Sequence, residues 1–441
     1  MLTKPTIQRN INSRVNFKPK APVFLVDNPF TVSKKKLKSL NLFWYGFLLC
    51  MISYYFSTTD DIYIGAAACQ AFQILGYIIM IVGATELMKF KFDDKYLENI
   101  FRVYFFYTLT IIVRGIAFDF NSVKKLLLDV TYGVIPYFVP LVILLPRNIA
   151  TYKKAFTIIL ILGASFIICS LIFNDIILDE DWMSTQSLVY VENLFGFLAF
   201  SSGFILLTYL YHTKPKLIFS FLVLAVSLYF LIYRARRGSM FMCLSTILGA
   251  GMVYLIGTKK KALIIFMAVI LVFLSTVFMS GMKVPGMFDH LEKRGDEDTR
   301  SGVEQYMSVS MTSRDWIIGK GINGNYYCPI VINVNDPSGY RDVIETGYLQ
   351  IILKGGILSL GLLLAILIPA LYKGLFKSKN ILSKGAGIFI LLWIVYLYPT
   401  IGTGFSMHYV LLWLSAGICY SKRITGMDDM EIKNALNKQK S

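Results

Sequence analysis

Apolar runs long enough to cross a bilayer recur along the whole chain, and nothing else in the sequence constrains the fold so tightly. A helix needs about twenty apolar residues to span the hydrocarbon. Twelve runs qualify, at roughly 39–57, 66–88, 99–119, 126–145, 155–173, 188–211, 217–233, 238–257, 262–280, 345–372, 384–401 and 406–420. With 56% hydrophobic and 16% charged residues, the chain carries more apolar surface than a soluble fold could cover. Only helices or closed barrels satisfy every backbone group inside lipid, and runs of this length select helices. The expected fold is therefore all-α, a polytopic membrane bundle of about twelve transmembrane helices. Its parts are a basic tail (1–38), spans one to nine (39–280), a long external loop with short helices (281–344), spans ten to twelve (345–420) and a second tail (421–441).

Lysine and arginine in the short connections set the orientation. The first tail, with SKKKLK at 33–38, is placed in the cytoplasm. No small-residue cleavage site follows the first span, so it is read as uncleaved. The acidic turn STTDD (57–61) falls outside, KFKFDDK inside, NDIILDEDWMSTQS (174–187) outside and GTKKK (257–261) inside. The alternation closes with both termini cytoplasmic. The net charge of +17 thus reflects orientation and contact with anionic lipid, and no nucleic-acid partner is expected. Cys50, Cys69, Cys169, Cys243 and Cys419 fall in apolar runs, and Cys328 has no evident disulfide partner. Cysteine and histidine show no metal-binding spacing, and no cofactor is expected.

One connection breaks the charge rule. RARRG, with Arg234, Arg236 and Arg237, lies between spans seven and eight, where the alternation places it outside. Fixed cations retained against the positive-inside bias imply a task, although an interfacial anchor would also account for them. Other polar groups gather at the same depth. Arg114 stands about one turn below the outer end of span three and needs a partner, either Asp119 or a wet cavity. Glu192 and Asn193 open span six, where an acid also suits the helix dipole.

In the loop, SRDWIIGKGINGN (313–325) matches a nucleotide-binding glycine pattern only by letter, since no βαβ unit surrounds it; a tight turn is expected. Arg314 is expected on a short interfacial helix beside Trp316. Arg341 and Glu345, four apart at the return to the bilayer, would share a face if helical. Gly355 and Gly356 are expected to loosen or break span ten. Guanidinium groups favour bidentate recognition of carboxylate or phosphate. At this depth a lipid diphosphate is the natural anion.

Three local motifs, in this order and with this topology, resemble the O-antigen polymerase and O-antigen ligase family of bacterial membrane glycosyltransferases. They are RRGSM (236–240) opening a span, SRDWIIGKGING in the loop, and ETGYLQIILKGGILSLGL at re-entry. ENLFGFLAFSSG is a weaker echo. The resemblance implies a bacterial inner-membrane enzyme acting on undecaprenyl-diphosphate-linked glycans at the outer face, with flippase and chain-length regulator proteins as partners. Arg237 matches its span-opening arginine and Arg314 its loop arginine. Ligases of the family often carry histidine before the re-entry tyrosine; here the chain reads Glu345-Thr346-Gly347, which favours a polymerase of O-antigen, capsular or exopolysaccharide. Arg237, Arg314 and Glu345 are then the expected catalytic residues, Glu345 as base. Arg114, Arg234, Arg236, Arg341, Glu192 and Asn193 are the expected substrate-binding residues. The rivals are an O-antigen ligase, a metal-dependent glycosyltransferase using Asp60-Asp61 or Asp179-Glu180-Asp181, and a lipid-linked oligosaccharide flippase.

Overall fold

The computed structural model describes residues 33–57, 65–116, 118, 120–178, 192–234, 236–258, 299–330 and 338–438. Within them the chain is a helical bundle, and six helices are long and apolar enough to cross a membrane. The expected ninth span, 262–280, lies outside the described residues.

α1 (Lys34–Ser57) and α2 (Ala66–Leu87) form a tight hairpin. Gly46, Gly76 and Gly83 sit in its seam, and a Cβ on any of them would overlap the facing helix, so small residues bring the two backbones together. α3 (Lys95–Val113) starts at Asp94, whose carboxylate accepts from the Tyr96 and Leu97 amides. α4 (Phe120–Leu128) follows. The expected fourth span, 126–145, is not one helix. α4 stops at Leu128, and a ten-residue 3₁₀ helix runs from Ile135 to Leu144. Pro136 and Pro140 remove two backbone donors there, which a regular α-helix of spanning length would need.

α5 (Ile149–Ile172) is long and regular, capped by Asn148. The sixth expected span is irregular where described: a π-helical turn at Leu194–Ala199, a 3₁₀ turn at Phe200–Ser202 and one α-helical turn at Gly203–Leu207. α6 (Lys214–Tyr233) and α7 (Arg237–Thr258) flank the arginine triplet. The loop contributes α8 (Thr299–Ser310), α9 (Ser313–Ile318) and a small antiparallel pair, β1 (Tyr326–Tyr327) with β2 (Tyr340–Arg341). α10 (Gly347–Phe376), α11 (Ile381–Tyr396) and α12 (Met407–Tyr420) complete the bundle. Two short helices, α13 (Lys422–Gly426) and α14 (Asp429–Lys438), follow. All six cysteines are buried free thiols.

Polar contacts divide the bundle into two ends. At one end Lys35 pairs with Glu86 at 3.0 Å, Arg147 with Asp93 at 2.9 Å, and Lys373 with Asp94. The Tyr211 hydroxyl donates to Asp429 there, and Lys153 Nζ to the Leu436 carbonyl. The other end holds the C-terminus of α3, the start of α7, the loop helices and the start of α10. The arginine triplet and the loop thus share one end, and the Lys34–Lys38 cluster of α1 occupies the opposite one.

α10 is broken at Gly356, whose φ of 69° and ψ of 179° leave the helical region. The break frees carbonyls of the preceding turn, and the loop takes them up. Lys320 N–H donates to Leu353 O at 2.8 Å and Gly321 N–H to Lys354 O at 2.9 Å. The Tyr107 hydroxyl lies 2.7 Å from Gly355 O. Gly319 and Gly321 have φ of 72° and 85° and press against the backbones of α10 and of Arg114-Gly115. The glycine pattern is therefore the expected tight turn, and its backbone donors complete a broken helix.

Candidate functional site

Two groups of polar residues occupy the loop end. The first gathers at the start of α7. Arg236 pairs with Glu192 at 3.4 Å, which fixes the triplet against the segment opening at residue 192. Its Nη2 is buried without a hydrogen-bond partner. Arg237 begins α7 on the exposed side, and Gly238 behind it touches the Pro399 carbonyl so closely that a Cβ would stand 2.9 Å from the oxygen. The same Pro399 carbonyl accepts from Arg300 Nη2 at 3.0 Å. Arg300 Nε lies 3.5 Å from Glu345, and Glu304, one turn later on α8, accepts from the Thr346 hydroxyl. Glu192 experiences Arg236 as an attractive charge and Glu345 as a repulsive one. Arg236, Arg237, Arg300, Glu192 and Glu345 therefore surround one small region, built by α7, α8, the approach to α10 and the turn at Pro399.

Burial varies within this group. Arg234 is 6% exposed and Asn193 8%, so both are buried next to it in sequence. The Glu345 side chain is 66% exposed, and its pair with Arg300 is one that water can readily exchange.

The second group holds the loop against α3 and α10. Arg114 gives Nη1 to Gly319 O at 3.0 Å, Nη2 to Ile318 O at 2.7 Å and Nε to Thr110 O at 3.2 Å. The Ile318 and Gly319 carbonyls end α9, where a cation complements the helix dipole, and Thr110 belongs to the last turn of α3. Arg114 is thus engaged as a clamp on the loop; its other expected partner, Asp119, lies outside the described residues. Asn323 donates to Gly115 O at 2.5 Å and completes the attachment. Arg314 is exposed on α9, whose start is closed by a reciprocal pair between Thr312 and Asp315. No ion pair holds Arg314 among the described residues.

One expected pairing is corrected. Arg341 and Glu345 do not share a helix face, because Arg341 lies in β2 opposite Tyr326 and the helix begins only at Gly347. The two-strand pairing draws residue 341 into extended backbone, and Glu345 turns to Arg300. Sequence reasoning passed over Arg300 and Glu304. Their spacing marks an i,i+4 pair on α8, yet each finds its partner elsewhere, at Glu345 and Thr346. It also passed over Lys354, a lone cation inside an apolar run, which was a legible signal.

Among the described residues no cluster of three or more His, Cys, Asp or Glu could hold a metal ion. Asp60-Asp61 and Asp179-Glu180-Asp181 lie outside them. Comparison with protein families, with characterised proteins and with solved structures finds no match to this chain.

Beside the first group runs an apolar groove of about 380 Å³, lined by Phe241, Tyr348, Leu360, Leu364, Val395 and Tyr398. Phe241 is one turn along α7 from Arg237, Tyr348 follows Glu345 by three residues, and Tyr398 adjoins Pro399. The groove therefore starts where the charged group ends.

Proposed function

We propose that this protein is a membrane glycosyltransferase that uses a lipid-diphosphate-linked glycan as donor, and that it joins glycan repeat units into a polymer at the outer face of a bacterial cytoplasmic membrane. The observation that carries the reading is the junction of the arginine group with the apolar groove. A lipid diphosphate needs cations for its head and a greasy channel for its tail, and here the two adjoin. The buried, unpartnered Nη2 of Arg236 is a donor prepared for an acceptor such as a phosphate oxygen.

In this reading a hydroxyl of one glycan attacks the anomeric carbon of the other, a new glycosidic bond forms, and the bond to the diphosphate breaks. The leaving diphosphate takes the electron pair. Arg236, Arg237 and Arg300 hold its growing charge in preorganised positions, and Arg314 extends the cationic edge along the loop. Glu345 takes the hydroxyl proton. Entry of the diphosphate between Arg300 and Glu345 displaces a weak ion pair and frees the carboxylate for this role.

The test is an assay in proteoliposomes with a lipid-linked repeat unit as sole substrate, read as a ladder on a gel. Arg236→Ala should slow elongation about 10²–10³-fold, as loss of an oxyanion donor does. Glu345→Gln should slow it about 10²–10⁴-fold. Full-length polymer from both variants would refute the reading. Transfer of finished polymer to a lipid A-core acceptor, with no elongation, would make the protein a ligase. Movement of the lipid across the bilayer with no bond formed would make it a flippase.

A further inference from the structure

A second cavity, of about 60 Å³, lies between α3, the 131–137 segment, α10 and α12. Its wall is polar for a place so deep in an apolar bundle: Thr108, Tyr132, Gln350, Ser359 and Tyr409 all contribute, with Lys354 among them. Lys354 is 6% exposed. Its ammonium carries three protons, and one hydrogen bond, to Gly324 O at 2.9 Å, is made. No carboxylate lies within ion-pair distance of it among the described residues. Asp342 attracts it from beyond ion-pair distance, but that acid is held at 3.3 Å by Lys125, whose own charge repels Lys354. A buried ammonium with one acceptor and no ion-pair partner among the described residues is costly, and proteins keep such a group where something answers it.

Tyr132 lines the wall, and the charges of Glu192, Asp129 and Asp342 reach its hydroxyl, which puts this side of the cavity toward the arginine group. The space holds about four waters, enough for a carboxylate but too little for a sugar ring.

We propose that the cavity is a carboxylate pocket for an acidic substituent on the glycan, with Lys354 as its counter-cation. This rests on the glycosyl-transfer reading for the glycan and on the geometry alone for the anion. The ring stays at the Tyr132 side while the carboxylate reaches Lys354, with hydroxyls of Thr108 and Ser359 at hand.

The experiment is a thermal-shift titration of the purified full-length protein in detergent, at constant ionic strength, with millimolar acetate, glucuronate or methyl glucoside. Farnesyl diphosphate serves as a separate probe of the arginine group. Acetate and glucuronate should each raise the wild-type Tm by about 1–2 °C well above their Kd, and methyl glucoside should not. Lys354→Met should abolish both shifts and keep the farnesyl diphosphate shift. Should that variant fail to fold, Ser359→Val, which fills the cavity and leaves the charge, should abolish them instead. Equal shifts with methyl glucoside, or a glucuronate shift that survives in the variant that folds, would overturn the pocket. A response to acetate alone would overturn its assignment to a glycan. A glucuronate response without any farnesyl diphosphate response would leave the pocket standing and remove the lipid-diphosphate reading.

Discussion

Arg236 and Arg114 carry the same guanidinium, yet their surroundings assign them different work. Arg114 gives its donors to three backbone carbonyls and is consumed in fastening the loop. Arg236 keeps one buried nitrogen open beside a single carboxylate. On the proposed glycosyl-transfer reading, Arg236→Ala should collapse turnover with a smaller loss of Tm than Arg114→Met, which should also speed proteolysis of the loop. Limited trypsinolysis beside the elongation assay separates the two. Asp94, at the opposite end, gives a pH dependence. Burial raises its carboxyl, but the Lys373 ammonium and the Leu97 and Tyr96 amides outweigh that and hold it below the usual carboxylate range. A depressed native value adds stability above the unfolded value, and the gain disappears as pH falls through the native one. Asp94→Asn keeps the helix cap and loses the charged bond from Lys373, and should cost about 0.5–1 kcal/mol at neutral pH. Its deficit relative to wild type should shrink in melts run below about pH 4.

Regular elements followed from local pattern, and the broken ones did not. α1, α2, α5, α6 and α7 fall where long apolar runs place them, because a run of that length has few alternatives in lipid, whereas α11 and α12 fall on the last two runs but are shorter than a spanning helix. The 3₁₀ helix at Ile135–Leu144 and the irregular 192–211 segment escaped because hydropathy is blind to backbone geometry; the two prolines were the available clue. Gly355 and Gly356 marked the break in α10, but nothing local could say that Lys320 and Gly321 would mend it. Likewise Arg300 meets Glu345 only through the fold. The arginine triplet was legible, and its partners were not. Gly356→Ala tests the break directly. A Cβ there would overlap the Ile317 carbonyl at a backbone angle disfavoured for alanine, so the variant should lose about 2 kcal/mol or more. Detergent melts and yield from membranes measure it.

On the scale of the whole molecule, the contacts sort charge by end. Ion pairs such as Lys35–Glu86, Arg147–Asp93 and Lys373–Asp94 tie one end together, and the arginine triplet, loop helices and groove mouth occupy the other. A sidedness follows that labelling can read. Ser313→Cys on α9 and Lys377→Cys after α10 are both exposed positions at opposite ends. A membrane-impermeant maleimide applied to intact cells should label the first and spare the second, which should react only after lysis. The reverse pattern would place the arginine group in the cytosol and remove the case for a lipid-linked donor there.

The mended break in α10 also bears on how the chain matures. When α10 first enters the bilayer, its freed carbonyls have no answer until the turn at 319–321 and Tyr107 of α3 reach them. A synthetic peptide covering 347–376 alone, placed in micelles, should close the helical hydrogen bonds across 353–357 and keep only the bend at Pro369, since lipid offers those oxygens nothing. The bend is thus held by distant segments of the chain, and the pocket walls beside it depend on the docked loop.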